Sequence, residues 1–181
     1  MKISTKKLVY MSFLIALSII LTRIFSIRIP IYGVEGFRIG FGGLPTIFAG
    51  IIFGPAAGGI VGAVADLLGY WVFPMGGYMP HFTLTAFLTG FIPGLMFHYI
   101  LNNKWNYWTL LISIVVGQTI TSIILVPVFL NVLFDLHLIT ILIPRVIGEP
   151  IYMFIYAYLI KVIAEYNIIK IPENSLNLKK L

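Results

Sequence analysis

Four polar side chains that could bind a ligand lie inside long apolar stretches of the sequence. They are Asp66, Gln118, Arg145 and Glu149, and His81 stands where another such stretch begins. Arg145 and Glu149 are four residues apart, which places them on one face of a helix. Each buried polar group needs a partner, so the pattern predicts a polar ligand site, or else neutralisation of Arg145 by Glu149. Asp66 and Gln118 could instead bond to the backbone of a neighbouring helix.

The elements that must hold these residues are apolar enough to cross a lipid bilayer. Of the 181 residues, 60% are hydrophobic and 10% are charged, whereas a soluble domain carries about 25% charged residues. A helix needs about 20 apolar residues to span the hydrocarbon core. The sequence therefore predicts an all-α integral membrane protein with a single membrane domain over 1–181. The domain is expected to be a six-transmembrane-helix bundle, with helices near 5–27, 41–57, 58–73, 81–101, 109–131 and 139–164. The second and third are short and meet at Phe53-Gly54-Pro55, which indicates a tilted, broken or re-entrant pair.

The basic residues separate by type along this bundle. The lysines lie at the N-terminus, in the 102–108 loop or toward the C-terminal tail: Lys2, Lys6, Lys7, Lys104, Lys161, Lys170, Lys179 and Lys180. The arginines lie at the opposite ends of the helices: Arg23, Arg28, Arg38 and Arg145. By the positive-inside rule the lysine side is predicted to be cytoplasmic, together with both termini (1–7 and 166–181). A guanidinium fork suits carboxylates and phosphates, so the outer side is expected to bind an anionic ligand.

Two outer segments, 28–40 and 74–80, are rich in Gly, Pro and Tyr. They are too apolar for solvated loops, and Gly and Pro favour defined turns. We expect lid-like extracellular loops that fold over the mouth of the bundle. The alternative is ordinary interfacial loops whose tyrosines lie at the headgroup level.

Small residues recur at helical spacing and indicate close packing between helices. Gly58-xxx-Gly62, Gly59-xxx-Ala63 and Ala65-xxx-Gly69 line the third helix, where internal packing is expected. The first helix carries Ser12-xxx-Ala16, a small face that could meet a partner helix.

The chain lacks the common signatures of catalysis. It has no cysteine and three histidines, so no thiolate or histidine metal cluster is predicted. It also has no Walker A loop and no His-Glu-x-x-His or Gly-x-Ser-x-Gly motif. A small bundle with a binding site and no catalytic motif indicates a substrate-capturing subunit. A small integral-membrane enzyme is the alternative from another class.

Several motifs resemble a known family. They are Arg38-Ile-Gly-Phe-Gly-Gly-Leu-Pro45, Phe53-Gly-Pro55, Gly62-Ala-Val-Ala-Asp-Leu-Leu-Gly69 and Tyr78-Met-Pro-His-Phe-Thr-Leu-Thr-Ala-Phe-Leu-Thr-Gly90. The chain resembles, from its first helix to about Ala164, the S components of energy-coupling factor (ECF) transporters, and the run from Phe73 to Gly94 looks most like their folate branch. His81 stands where folate-branch members commonly have glycine.

The resemblance implies high-affinity capture of a vitamin outside a prokaryotic cell membrane, folate or a reduced folate on this branch. It also implies docking on a transmembrane coupling protein and two ATPases, so that ATP is used by the partners and this chain needs no cofactor. Ser12 and Ala16 match the Ala-xxx-Ala pattern that meets the coupling protein in the family. Riboflavin, pantothenate or a queuosine precursor remain alternative ligands.

Folate chemistry suggests roles for the candidate residues. A carboxylate, Glu149 or Asp66, could accept hydrogen bonds from the amino-pyrimidine edge of the pterin, whose rings stack on aromatic side chains. The carboxylates of the glutamate tail suit arginine, and Arg145 could bind them or balance Glu149. The full set of predicted ligand-binding residues is Arg23, Arg38, Asp66, Trp71, Tyr78, His81, Phe82, Gln118, Arg145 and Glu149, with no catalytic or metal-binding residue.

Overall fold

The chain folds into a bundle of helices with one small β-hairpin. The structure, a computed structural model, describes residues 4–31, 34–74 and 77–165, and over 27–39 only the backbone. In chain order the elements are α1 (Thr5–Arg23), β1 (Ile27–Ile31), β2 (Val34–Ile39), α2 (Gly43–Phe53), α3 (Pro55–Val72), α4 (Pro80–Leu95), the π-helical segment π1 (Met96–Ile100), α5 (Tyr107–Gln118), the π-helical segment π2 (Thr119–Leu125), α6 (Val126–Phe134) and α7 (Leu138–Glu165).

Five helical units in the described ranges are long and apolar enough to cross a membrane. π1 extends α4, and π2 joins α5 to α6 in one unit, Tyr107–Phe134. The remaining helix, α2, has 11 residues. At 1.5 Å per residue it is about 17 Å long, which is shorter than the hydrocarbon core of about 30 Å. The helical membrane architecture predicted from the sequence is confirmed, and so is the shortness of the second helix.

The break between α2 and α3 lies at Phe53-Gly54-Pro55, where the sequence predicted that the two helices meet, and before the 57/58 limit of the predicted stretches. Gly54 has φ +98°, a conformation that glycine adopts without the steric penalty of a side chain. Pro55 then begins α3, where its missing N–H costs no intrahelical hydrogen bond. The predicted meeting point at Phe53-Gly54-Pro55 is confirmed, and only the limit of the predicted second stretch at 57 lies about one turn too far.

The outer segment expected as a loop at 28–40 contains an antiparallel hairpin. β1 pairs with β2, so that Arg28 stands opposite Arg38, and the register shifts between Ile29 and Pro30. Pro30 lacks a backbone N–H, which explains the irregularity at that point. The predicted first helix also ends earlier than expected, at Arg23 rather than 27, because the chain enters β1.

Helices α2, α3 and α4 pack backbone to backbone through glycines. A Cβ atom at Gly58 would lie 2.5 Å from the Cα of Gly50, and one at Gly94 would lie 2.6 Å from the Gly50 carbonyl oxygen. At Gly62 it would strike the carbonyl of Ala86. Every α2 residue from Pro45 to Phe53 is buried. The internal packing predicted for the small residues of α3 is thereby confirmed.

The two ends of the bundle differ in charge. Lys7 near the start of α1 donates from Nζ to the carbonyl oxygen of Phe53 at the end of α2, over 2.8 Å. Arg23 at the end of α1 lies beside Gly69 near the end of α3. We name these the lysine end and the arginine end. Lys7 and Arg23 thus lie at opposite ends of α1, and the segregation of the other lysines and arginines stays a prediction.

Candidate ligand-binding site

A chain of polar contacts joins three helices at the arginine end. The guanidinium of Arg23 on α1 lies 3.5 Å from the carboxylate of Asp66 on α3. Thr83 on α4 donates from Oγ1 to the same carboxylate over 2.7 Å, and the hydroxyl groups of Thr83 and Tyr78 are 2.9 Å apart. We call Arg23, Asp66, Thr83 and Tyr78 the outer relay. Asp66 is therefore paired with side chains, where the sequence had suggested backbone groups as the alternative to a ligand.

The local sequence makes room for this ion pair. The side chain of Arg23 is 7% exposed and that of Asp66 24%. A Cβ at Gly69 would lie only 2.9 Å from Nε of Arg23, so the glycine one turn after Asp66 leaves the space that the guanidinium occupies. The Tyr70 and Tyr78 rings pack beside the relay with centroids 5.3 Å apart.

A second polar cluster links the middle of the unit Tyr107–Phe134 to α7. The hydroxyl of Ser122 donates to Oε1 of Gln118 over 3.1 Å, and that of Thr121 approaches the same oxygen at 3.4 Å. Arg145 donates from its guanidinium to the backbone carbonyl of Ser122 over 3.3 Å. Glu149, one turn further along α7, lies close enough to Arg145 for the two charges to interact. The predicted Arg145–Glu149 proximity is present.

The π2 segment explains how these groups meet. π2 starts immediately after Gln118 and contains Thr121 and Ser122. A π-helix shifts its backbone bonds from i→i+4 to i→i+5 and often marks a functional site. Within π2 the backbone carbonyl of Ser122 faces α7, where it accepts from Arg145.

Three aromatic rings border the second cluster. Phe41 lies before α2, and its centroid is 6.0 Å from that of Tyr152 and 6.2 Å from that of Tyr156. The rings of Tyr152 and Tyr156 are 6.1 Å apart. The hydroxyl of Tyr156 donates to the carbonyl of Gly40 over 3.0 Å. We call Phe41, Tyr152 and Tyr156 the aromatic trio.

The trio and the polar cluster are neighbours at the start of α2. A Cβ at Gly43 would lie 3.5 Å from Nε2 of Gln118 and 3.6 Å from Cε2 of Tyr156, so the amide and the ring meet at the start of α2. The charge of Glu149 also acts on the hydroxyl of Tyr152, one turn away. We call the trio together with Gln118, Arg145 and Glu149 the α7 site. It combines flat apolar surfaces with donors and an acceptor, the composition that small-molecule sites require.

Sequence reasoning missed the aromatic trio. Four polar or aromatic residues follow one another along α7 at spacings of four, three and four: Arg145, Glu149, Tyr152 and Tyr156. That spacing keeps all four side chains on one helix face. The sequence could therefore have predicted that the two tyrosines lie beside Arg145 and Glu149. Phe41 carried no comparable signal, because its position depends on the tertiary contact between the start of α2 and α7.

The contacts that define the two groups do not include Trp71, His81 or Phe82. The Trp71 side chain is 80% exposed on α3. His81 is exposed, with its ring 5.2 Å from that of Phe129. Phe82 packs on a small apolar cluster of Leu130, Leu136 and Ile141. The side chain of Arg38 lies outside the described residues. Their participation in ligand binding stays a prediction.

The predicted partner face of α1 is free within the described chain. Ser12 and Ala16 are both exposed, as are the neighbouring large apolar side chains Val9 and Phe13. The hydroxyl of Ser12 donates to the carbonyl of Leu8 within the same helix. A short, satisfied side chain at this position leaves α1 open to close approach by another helix.

Comparison with known proteins decides the family. The family model described as "ECF-type riboflavin transporter, S component" matches residues 2–171. The chain is an S component of the ECF-type transporters. A curated relative, the folate transporter FolT of Clostridium novyi (strain NT), is 35% identical over 153 residues, which are 84% of each chain. The resemblance seen in the motifs is thereby confirmed, and this S component is a multi-pass membrane protein of a transport family.

Solved structures of S components share the fold. The crystal structure of FolT bound with folic acid superposes with a TM-score of 0.70 at 30% identity, covering 87% of this chain and 91% of that one. A bacterial ECF transporter S component aligns with a TM-score of 0.56 at 25% identity, over 97% and 98% of the chains. An S component for biotin gives a TM-score of 0.70 at 20% identity, over 91% and 95%, and this likeness concerns the fold alone.

Proposed function

We propose that this S component captures folate or a reduced folate at the arginine end and holds it in the α7 site. The observation that carries the proposal is the meeting of three aromatic rings with the carboxylate of Glu149 and the amide of Gln118. The similarity to FolT and to the structure of FolT with folic acid supports the choice of ligand.

The chemistry of a pterin matches this site group by group. Its fused rings offer flat faces for offset or edge contacts with the trio. Its amino-pyrimidine edge presents adjacent N–H donors, which Glu149 can accept at two oxygens. The relay already holds Asp66 between a guanidinium and a hydroxyl, so Glu149 is the better candidate for this contact. The glutamate tail then extends toward the arginine end, where its carboxylates suit guanidinium groups.

Riboflavin is the main alternative ligand, because the matching family model carries that name. Its isoalloxazine would also fit between aromatic rings, but it has no carboxylate to engage the arginine end. Pantothenate and a queuosine precursor complete the set of vitamin alternatives. An integral-membrane enzyme has less support, since the described residues contain no group of three or more His, Cys, Asp or Glu side chains that could hold a metal ion.

We infer that delivery depends on partners. The family assignment supports a transmembrane coupling protein and two ATPases, with ATP used by those subunits and not by this chain. The exposed Ser12 and Ala16 face supports α1 as the docking helix. The excess of lysine at the end where the chain begins supports a cytoplasmic location of both termini in a prokaryotic plasma membrane.

Isothermal titration of the purified chain tests the proposal. Folic acid, a reduced folate, riboflavin, pantothenate and a queuosine precursor are titrated against wild type, Glu149→Gln and Lys161→Gln. Folates should bind far more tightly than the other vitamins. E149Q should weaken them at least about tenfold, because hydrogen bonds to a charged group contribute about 1.5–3 kcal/mol. K161Q removes an exposed ion pair with Glu165 and should change nothing. Preferential binding of riboflavin, or full folate affinity in E149Q, would contradict the proposal.

A further inference from the structure

The outer relay lies next to the α7 site without sharing a residue with it. Arg23 is the last residue of α1, and its pairing with Asp66 fixes that last turn against α3. Thr83 ties the same carboxylate to the first turn of α4. The relay therefore determines where the arginine end of α1 stands relative to two other helices.

The same turn of α1 packs on the segment that carries Phe41. A Cβ at Gly42 would clash with Thr22, the residue before Arg23, and one at Gly40 would lie 2.7 Å from Cβ of Ser26. Ser18, one turn earlier, donates to the carbonyl of Gly42 over 2.9 Å. Thr22 in the last turn of α1 and Ser26 just beyond its end thus lie against Gly42 and Gly40, the two residues that flank Phe41.

We propose that Asp66 is a positioning residue: through Arg23 it fixes the end of α1, and through Gly40 and Gly42 the end of α1 fixes Phe41 in the α7 site. This inference rests on the proposed function for its ligand. It assigns the charged residue of α3 to the geometry of the site and not to contact with the vitamin. Mutation of a partly buried ion pair has a specific consequence, because removal of one partner leaves the other charge unpaired.

A double-mutant cycle separates this role from a general structural one. Asp66→Asn should weaken folate binding about tenfold, because the guanidinium of Arg23 then loses its carboxylate partner and no longer holds the end of α1 against α3. Phe41→Ala should remove most of the additional effect of D66N. Thr83→Val should act in the same direction as D66N, and Thr83→Ser, which keeps the hydroxyl, should retain wild-type affinity. Additive effects of D66N and F41A would overturn the proposal.

A ligand analogue distinguishes positioning from direct contact. A 2-desamino-2-methyl folate lacks the amino group that a carboxylate would bind. The preference for folic acid over this analogue should persist in D66N and disappear in Glu149→Gln. If D66N abolishes the preference and E149Q keeps it, Asp66 contacts the ligand directly and the positioning role is refuted, while folate capture itself stands.

A readout without ligand keeps the inference testable if no folate binds. The chain has no cysteine, so a Phe41→Cys variant carries a single thiol whose alkylation rate by a maleimide reports on the 40–42 segment. D66N should raise that rate at least about threefold through local opening. An unchanged rate in D66N would overturn the proposal, whereas a failure of folate binding alone would count against the proposed function. If another vitamin binds, the same cycle is measured with it.

Discussion

Replacement of one buried glycine should separate the three helices that support the site. A Cβ at Gly90 on α4 would lie 2.5 Å from the carbonyl carbon of Gly58 on α3 and 2.8 Å from Cγ2 of Thr46 on α2, and it would also strike the Gly58 oxygen. Ordinary contacts of a Cβ begin near 3.4 Å, so the helices would have to move apart by about 1 Å. Because the obstructing atoms of α3 are backbone, side-chain rotation cannot relieve the clash there.

The expected cost of Gly90→Ala is about 3 kcal/mol, the upper part of the range for overpacked cores. At about 2–4 °C per kcal/mol for a chain of this size, Tm should fall by roughly 6–12 °C. Thermal unfolding in detergent can be followed by tryptophan fluorescence. The matched control is Gly77→Ala, where a Cβ has no neighbour within 4 Å and Tm should be unchanged. Equal Tm values for G90A and G77A would refute the close-packing argument.

The other predictions concern the trio, the lysine end and the partner face. Tyr156→Phe removes the hydrogen bond to Gly40 and should destabilise the chain by about 1–2 kcal/mol, since a carbonyl loses its donor; a Tm equal to wild type would contradict this. Lys7→Met removes the donor to Phe53 and should cost about 0.5–1.5 kcal/mol in the same assay, whereas a gain in stability would show that the contact contributes nothing. Ser12→Leu should abolish co-purification with the coupling protein and leave vitamin affinity intact, because a large side chain blocks close helix approach; retained assembly would exclude α1 as the docking face.

The sequence predicts the membrane elements well, because apolar length and helix geometry leave few alternatives. Five long units and one short helix correspond to the predicted stretches. The hairpin at 27–39 was not predicted, since its alternation of residues is short and interrupted by Gly and Pro. The break at Gly54 was predicted from the Gly-Pro pair, whereas the apolar run around it carried the predicted second stretch on to 57.

The candidate site was only partly predictable. A polar side chain inside an apolar helix is costly in free energy unless it has a partner, and on this ground the sequence singled out Asp66, Gln118, Arg145 and Glu149. Each of them has partners in the structure. Sequence alone could not divide them between the outer relay and the α7 site, because that division depends on which helices are neighbours. Trp71 illustrates the limit: its type suits stacking on a pterin, but its helix face directs it to the outside of the bundle.

A structure of the chain with folic acid bound tests the central claim most directly. The account predicts that the pterin lies against Phe41, Tyr152 and Tyr156, with its amino-pyrimidine edge on the carboxylate of Glu149 and its glutamate tail toward the arginine end. A pterin bound against Asp66 or Trp71, with the aromatic trio still packed on itself, would contradict the account.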